Sequence, residues 1–224
     1  MNAPGVATPR PVPPGCRPLP PARRPVTTLP EPNATVVERE DVSASIVRLR
    51  IRPDDGVPRF RPGQYFALGL IVSGRLIQRP YSTASAPDET DALEFLIRLV
   101  PTGELTPRLW PLGTGARVRL GRPKGLFTVD PDDARRPLFV ATGTGIAPLL
   151  SMIEGTLRAG PGSPSRQPPI LIHGVSRACD LAYRGRLEAL TARGALAYLP
   201  AVSRPSDPAN AAWTGAAGRV DGLL

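Results

Sequence analysis

Apolar and charged side chains alternate from Ile46 to Ile51, with Val47, Leu49 and Ile51 on one face and Arg48 and Arg50 on the other. Gln64 to Val72, Ile77 to Thr83, Leu93 to Val100 and Arg117 to Leu120 repeat the rhythm, set off by Gly, Pro and Asp. A two-residue period marks strands with one buried face. Several such strands at regular spacing predict an antiparallel barrel rather than a βαβ array. The one helical signal in this stretch is Thr106-Pro107-Arg108-Leu109-Trp110, read with Thr106 as N-cap and Pro107 at the first helical position.

Near Pro137 the pattern changes. Leu138 to Ala141 forms a short apolar run, a glycine-rich turn follows, and Leu149 to Leu157 has helical spacing. Ile170 to Ile172 then reads as a strand, Asp180 to Arg193 as a helix and Ala195 to Leu199 as a third strand. Strands alternating with helices predict a parallel sheet with crossover helices. Before Thr35 the chain is rich in Pro and Arg and has almost no large apolar side chains. Such a segment cannot bury enough surface to offset its ordering entropy. Three parts are expected: a disordered extension over 1–33, an antiparallel Greek-key β-barrel over 34–133, and an α/β domain of nucleotide-binding type over 134–224.

Composition narrows the function. The chain of 224 residues carries a net charge of +9. Arg10, Arg17, Arg23 and Arg24 precede the first acid, Glu31, so the extension supplies +4 and the remainder about +5. That excess favours an acidic partner through long-range attraction; a GC-biased genome writing Arg for Lys accounts for it as well. Aromatic residues do not interleave the basic ones, which argues against nucleic-acid binding. No apolar run reaches the roughly 18 residues needed to span a bilayer. Cys16 and Cys179 are the only cysteines. They provide neither a disulfide framework nor a four-cysteine iron–sulfur set, and no metal site is expected. A reducing, cytoplasmic setting fits.

Two motifs carry the chemistry. Arg79-Pro80-Tyr81-Ser82-Thr83-Ala84-Ser85 lies on a predicted strand, and Gly103-Glu104-Leu105-Thr106 precedes the short helix. Alone, Tyr81 reads as well as an ordinary barrel aromatic, and Arg79 as a solvated strand charge. Thr142-Gly143-Thr144-Gly145-Ile146-Ala147-Pro148 joins a strand to a helix. Its glycines let backbone approach a phosphate, and the helix start receives the negative charge. It is not the Gly-x-Gly-x-x-Gly of the usual dinucleotide fold.

In this order, the motifs resemble the flavin and pyridine-nucleotide signatures of the ferredoxin–NADP reductase family. The resemblance covers roughly Val36 to the C-terminus and is closest to the bacterial ferredoxin (flavodoxin)–NADP reductases. It implies FAD in the barrel, NADP(H) in the α/β domain, hydride exchange between them, and ferredoxin or flavodoxin as an acidic electron carrier. A monomer is expected. By resemblance, Tyr81 stacks on the isoalloxazine, Ser82 bonds near N5, Arg79 and the Gly103–Thr106 turn hold pyrophosphate, and Thr142 lies near the nicotinamide; Tyr81, Ser82 and Thr142 are the catalytic candidates. The flavin set is Arg79, Pro80, Tyr81, Ser82, Thr83, Ser85, Ile97, Arg98, Leu99, Gly103, Leu105 and Thr106. The nucleotide set is Thr142, Gly143, Thr144, Gly145, Arg177, Ser203, Arg204 and Arg219.

Val202-Ser203-Arg204 and Gly218-Arg219 resemble the elements that select the 2′-phosphate, and His173-Gly174-Val175-Ser176-Arg177 a nearby family stretch. There the expected arginine is Ser176, with Arg177 one place later, and the acid expected after Arg204 is Pro205. His173 and Cys179 read as structural. The family's later strand, C-G-x-P/S-x-M turn and final helix have no counterpart before Leu224, so a shortened nucleotide domain is expected. Two other readings stand beside the main one: the reductase component of an oxygenase system, and a noncatalytic flavin-binding or regulatory subunit.

Overall fold

The structure is a computed structural model describing residues 30–158 and 167–224. The extension expected over 1–33 lies, up to residue 29, outside the described residues. The first half holds β1 (Ala34–Ser43), β2 (Ile46–Pro53), β3 (Tyr65–Val72), β4 (Arg75–Ser82), β5 (Leu93–Arg98) and β6 (Arg117–Leu120). They form one antiparallel sheet in the order β4-β3-β6-β1-β2-β5. A bridge between Thr83 and Phe95 joins its two edges, and the Ala84 N–H donates to the Glu94 carbonyl at 2.8 Å. This seam closes the sheet into a barrel just beyond the end of β4.

The barrel interior is the set of positions that the alternation marks: Val47, Leu49, Ile51, Phe66, Leu68, Phe95 and Ile97 are fully buried. Phe66 sits at the centre, edge-on to Phe60 and to Phe95 with ring centroids 5.9 and 6.0 Å away. β1 has no such rhythm. Glu38, Arg39, Glu40 and Asp41 interrupt it, and the ladder to β2 slips between Val36 and Glu38 and again between Asp41 and Ser43. Arg48, across that ladder, pairs with Glu38, Glu40 and Glu94, which is what makes a charged run tolerable as a strand.

The short helix α1 covers Thr106–Leu109, and its N-cap is Leu105 rather than the expected Thr106. The Thr106 hydroxyl turns back instead, accepting from the Val100 N–H at 2.9 Å and donating to its carbonyl at 3.1 Å. Thr106 therefore closes the 100–106 loop.

The second half contains β7 (Leu138–Thr142), α2 (Ile146–Arg158), β8 (Ile170–Val175), α3 (Arg184–Ala192), β9 (Ala197–Val202) and β10 (Ala216–Ala217). The strands pair in parallel in the order β10-β9-β8-β7. The helix expected from Asp180 begins only at Arg184. Residues Ala178–Asp180 form a separate 3₁₀ turn, and Tyr183 takes the left-handed conformation with φ 62°. That reversal of hand ends one turn before the next begins.

The halves pack closely. A side chain at Gly155 of α2 would meet Pro62 at 2.8 Å, and one at Gly63 would meet Met152 at 2.3 Å. Arg158 pairs with Asp88, and the Ser43 hydroxyl donates to Asp180 at 2.6 Å.

Phe66 tests this core. Phe66→Ala removes a fully buried ring and two edge-on contacts and is expected to cost about 3–5 kcal/mol. Urea unfolding would show it as a lower midpoint with an unchanged slope.

Candidate functional site

β4 brings Pro80, Tyr81 and Ser82 in sequence to a cleft of about 340 Å³ between the halves. Leu96 and Arg98 of β5, Val100 and Thr106 complete that wall; Thr144, Gly145, Ala147 and Pro148 face them from the turn into α2. Proline is accommodated here because β4 lies at the end of the sheet order. Burial pushes the Tyr81 phenol above its ordinary range, with Arg79 acting the other way. Tyr81 thus offers a neutral aromatic surface across the working pH range.

A second cleft of about 400 Å³ opens where the parallel strands end. Thr142, Gly143 and Thr144 line it from the end of β7 and the turn beyond, Gly174 to Ser176 from the end of β8, and Ser203 after β9, with Gly218, Arg219 and Val220 closing the far side. The carboxyl ends of parallel strands are where open α/β sheets place ligands. Gly143 takes φ +51°, a conformation that side chains disfavour. Its carbonyl is held by His173 Nε2 at 3.0 Å from the neighbouring strand. Burial lowers the affinity of His173 for a proton, partly offset by that carbonyl, so the ring is neutral and donates.

Arg98 and Thr144 line both clefts. The Arg98 guanidinium reaches from the barrel to Asp180 at 3.6 Å and lies beside Gly143, 3.8 Å from where a Cβ would stand. Asp180 is buried and also accepts from Ser43, so one carboxylate of the second half binds two residues of the first.

Other expected residues are arranged differently. Arg79 stands outside the lining of the first cleft, paired with Glu104 at 3.1 Å, and Arg75 pairs with the same carboxylate. Against a desolvation cost, these two cations hold Glu104 below the usual carboxylate range. Thr83 and Ser85 point into the protein: Thr83 Oγ1 donates to the Glu94 carbonyl at 3.0 Å, and Ser85 Oγ accepts from the Glu94 N–H at 2.7 Å. Ile97 and Leu105 are buried, and the Leu99 N–H is spent on Ser45 at 2.8 Å. Gly103 closes its turn through an N–H to the Val100 carbonyl at 2.8 Å. Arg177 turns away to Asp207 at 3.2 Å, while Arg204 is exposed and outside the lining of either cleft. Asp180, Ser176 and Val220 are not among the expected site residues; Ser176 enters the sequence reading only as the residue standing where an arginine is expected.

Comparison with known proteins fits this geometry. Residues 33–129 match the model of the oxidoreductase FAD-binding domain, and residues 139–224 that of the oxidoreductase NAD-binding domain. The chain belongs to the ferredoxin–NADP reductase family. It is 37% identical over 171 residues to ferredoxin–NADP reductase B of Sorangium cellulosum, covering 75% of this chain and 66% of that one. It is 34% identical to the ferredoxin–NAD(P)(+) reductase component of a Ralstonia naphthalene 1,2-dioxygenase/salicylate 5-hydroxylase system, over 71% of this chain and 46% of the relative. The chain thus spans less than two thirds of the length of these curated relatives. A ferredoxin NADP+ reductase of Neisseria gonorrhoeae, with bound FAD and NADP, superposes with a TM-score of 0.73 at 26% identity, over 86% of this chain and 74% of that one.

The residues fit the groups these domains take. A methyl group placed on Gly145 would meet no protein atom within 4 Å, so the space over the start of α2 is open to a ligand. Tyr81 lines the first cleft as a neutral aromatic surface. Cations Arg98 and Arg219 stand on the second. Among the described residues, no helix is long and apolar enough to cross a membrane.

His173, behind the Gly143 turn, makes stability depend on pH. Burial holds its folded pKa below the ordinary imidazole value of 6.5, so the unfolded chain takes up the proton first. The stability that the neutral ring contributes is therefore complete above about pH 6.5 and declines as pH falls from there towards the lower folded value. His173→Gln keeps a donor for the Gly143 carbonyl and does not titrate. Thermal melts over this range should lose that part of the pH slope in the variant.

Proposed function

We propose that the protein is a flavin oxidoreductase that exchanges hydride between NADP(H) and FAD and passes single electrons to or from ferredoxin or flavodoxin. It acts as a cytoplasmic monomer. The observation that carries this reading is the meeting of two clefts at Arg98 and Thr144, one walled by Tyr81 and Ser82, the other by the Gly143 turn. When bound, FAD supplies the step between two-electron and one-electron chemistry.

In this reading Tyr81 provides the stacking face and Ser82 a hydroxyl for the polar edge of the ring. Arg79 exchanges Glu104 for pyrophosphate, supported by the free N–H groups at the start of α1. Thr142 and the Gly143–Gly145 backbone hold the nicotinamide nucleotide at the strand end. Arg98 supplies a cation to its phosphates from across the boundary between the halves. Ser203 and Arg219 address the 2′-phosphate. Arg177 and Arg204 were also expected there, but neither lines the cleft; Arg219 does, paired with Asp221 at 3.2 Å, so the preference for NADP rests on Arg219 exchanging that carboxylate for the phosphate. A second reading, the reductase component of an oxygenase system, is favoured by the relative from Ralstonia.

Acid extraction of the purified protein is expected to release FAD; release of FMN alone would refute the pyrophosphate assignment. Arg79→Ala should weaken FAD binding by roughly 1.5–3 kcal/mol, the contribution of a hydrogen bond to a charged group.

Nucleotide choice gives a separate test. Arg219→Ala should raise the KM for NADPH strongly and that for NADH little, whereas Arg204→Ala should change neither. Steady-state reduction of ferricyanide measures both without a protein carrier.

A further inference from the structure

The loop after β6 carries two large apolar residues into solvent. Leu126 is 95% exposed and Phe127 64%. Their backbone is firmly placed. Gly125 accepts from Gln64 Nε2 at 3.1 Å, Lys124 and Tyr65 exchange both backbone hydrogen bonds at 2.9 Å, and the Phe127 carbonyl lies so close over Gly63 that a Cβ there would stand 2.1 Å from it. Folding has fixed these residues outward, although burying them would release apolar surface from water. Exposure of this kind at a well-ordered position marks a contact surface.

Along the two segments that meet here the charge is of one sign, acids returning only at Asp55 and Asp130. Arg59 and Arg61 lie on the segment zipped to this loop, and Arg122 and Lys124 precede the pair on the loop itself. All four are exposed, and residues 57–64 and 121–128 contain no acid. Among the described residues none of the four has a carboxylate partner, in contrast to Arg48, Arg117 and Arg158, which are all paired. An apolar pair rimmed by four unpaired cations suits a partner that presents an apolar spot inside an acidic ring.

Strand register relates this surface to the redox site. Ser82 is paired with Tyr65 across β4 and β3, and Tyr65 is bridged to Lys124. At about 4.8 Å per strand step, the Lys124 backbone lies about 10 Å from that of Ser82. A protein seated on Leu126 and Phe127 is thus held near the polar edge of the proposed flavin site. This proximity favours an electron carrier over a membrane surface, for which nearness to Ser82 has no use.

We infer that Leu126 and Phe127, with Arg59, Arg61, Arg122 and Lys124, form the docking surface for an acidic one-electron carrier protein. The inference rests on the oxidoreductase reading above. The apolar pair supplies the dry contact and the four cations supply orientation and speed of encounter.

Isothermal titration of the full chain with a bacterial 2Fe–2S ferredoxin and with a flavodoxin tests it, at low and at moderate salt. Leu126→Ser with Phe127→Ser should raise the Kd at least tenfold while flavin content stays unchanged; both side chains are exposed, so folding is not at stake. Arg59→Glu with Arg61→Glu, and Arg122→Glu with Lys124→Glu, should each weaken binding and flatten its salt dependence. Arg193→Glu, an exposed cation on the other half, should do neither. Unchanged affinity in all three loop variants, or an equal loss in Arg193→Glu, would overturn the inference. So would failure of the unmodified chain to bind either carrier while it still reduces ferricyanide with NADPH. Absence of that ferricyanide activity would remove the oxidoreductase reading, and this inference with it. Binding to phosphatidylglycerol vesicles that the Ser variants abolish while carrier binding persists would assign the surface to lipid. A dimer in sedimentation that the same variants dissolve would assign it to a second copy. Either result refutes the carrier assignment.

Discussion

A buried carboxylate must have partners, and Asp180 finds its partners in the other half of the molecule. Ser43 and Arg98, both from the barrel, are the partners that its side-chain oxygens find. These bonds tie the barrel to the parallel sheet. The end of β4 and the turn into α2 are opposite walls of one cleft. Glycines at positions 63 and 155 then allow the approach, since a side chain at either would press against the facing surface.

The barrel is legible from sequence because most of its strands bury a single face, although Leu96 of β5 is buried on the face opposite Phe95 and Ile97. Val47, Leu49 and Ile51 are interior for the same reason that Arg48 and Arg50 are not: the pleat sends them to opposite sides. β1 escapes such reading because its outward charges pair with Arg48 on another strand, and pairing is a tertiary fact. The start of α3 escapes it too. Nothing in Ala182-Tyr183-Arg184 announces that Tyr183 will adopt a left-handed conformation.

The candidate site divides along a similar line. Residues within one motif, such as Tyr81 with Ser82 or Thr142 with Gly143, reach the clefts together because a strand or a turn delivers neighbours to one place. Isolated arginines are less predictable, since a long cation goes to the nearest carboxylate. Arg177 finds Asp207, Arg79 finds Glu104 and Arg98 finds Asp180, and none of these acids is marked by a local pattern. Thr83 and Ser85 show the converse. Their position beside the strand motif suggests the cleft, yet the barrel seam claims both hydroxyls to anchor Glu94.

Because Arg98 belongs to both clefts, their occupancies are not independent quantities. A ligand that draws the guanidinium towards one cleft changes the field in the other and loosens or tightens the grip on Asp180. By thermodynamic reciprocity, whatever factor the first ligand imposes on the affinity of the second, the second imposes on the first. One side chain thus makes the molecule a two-site linked system, in which the affinity measured for either ligand is defined only when the state of the other is specified.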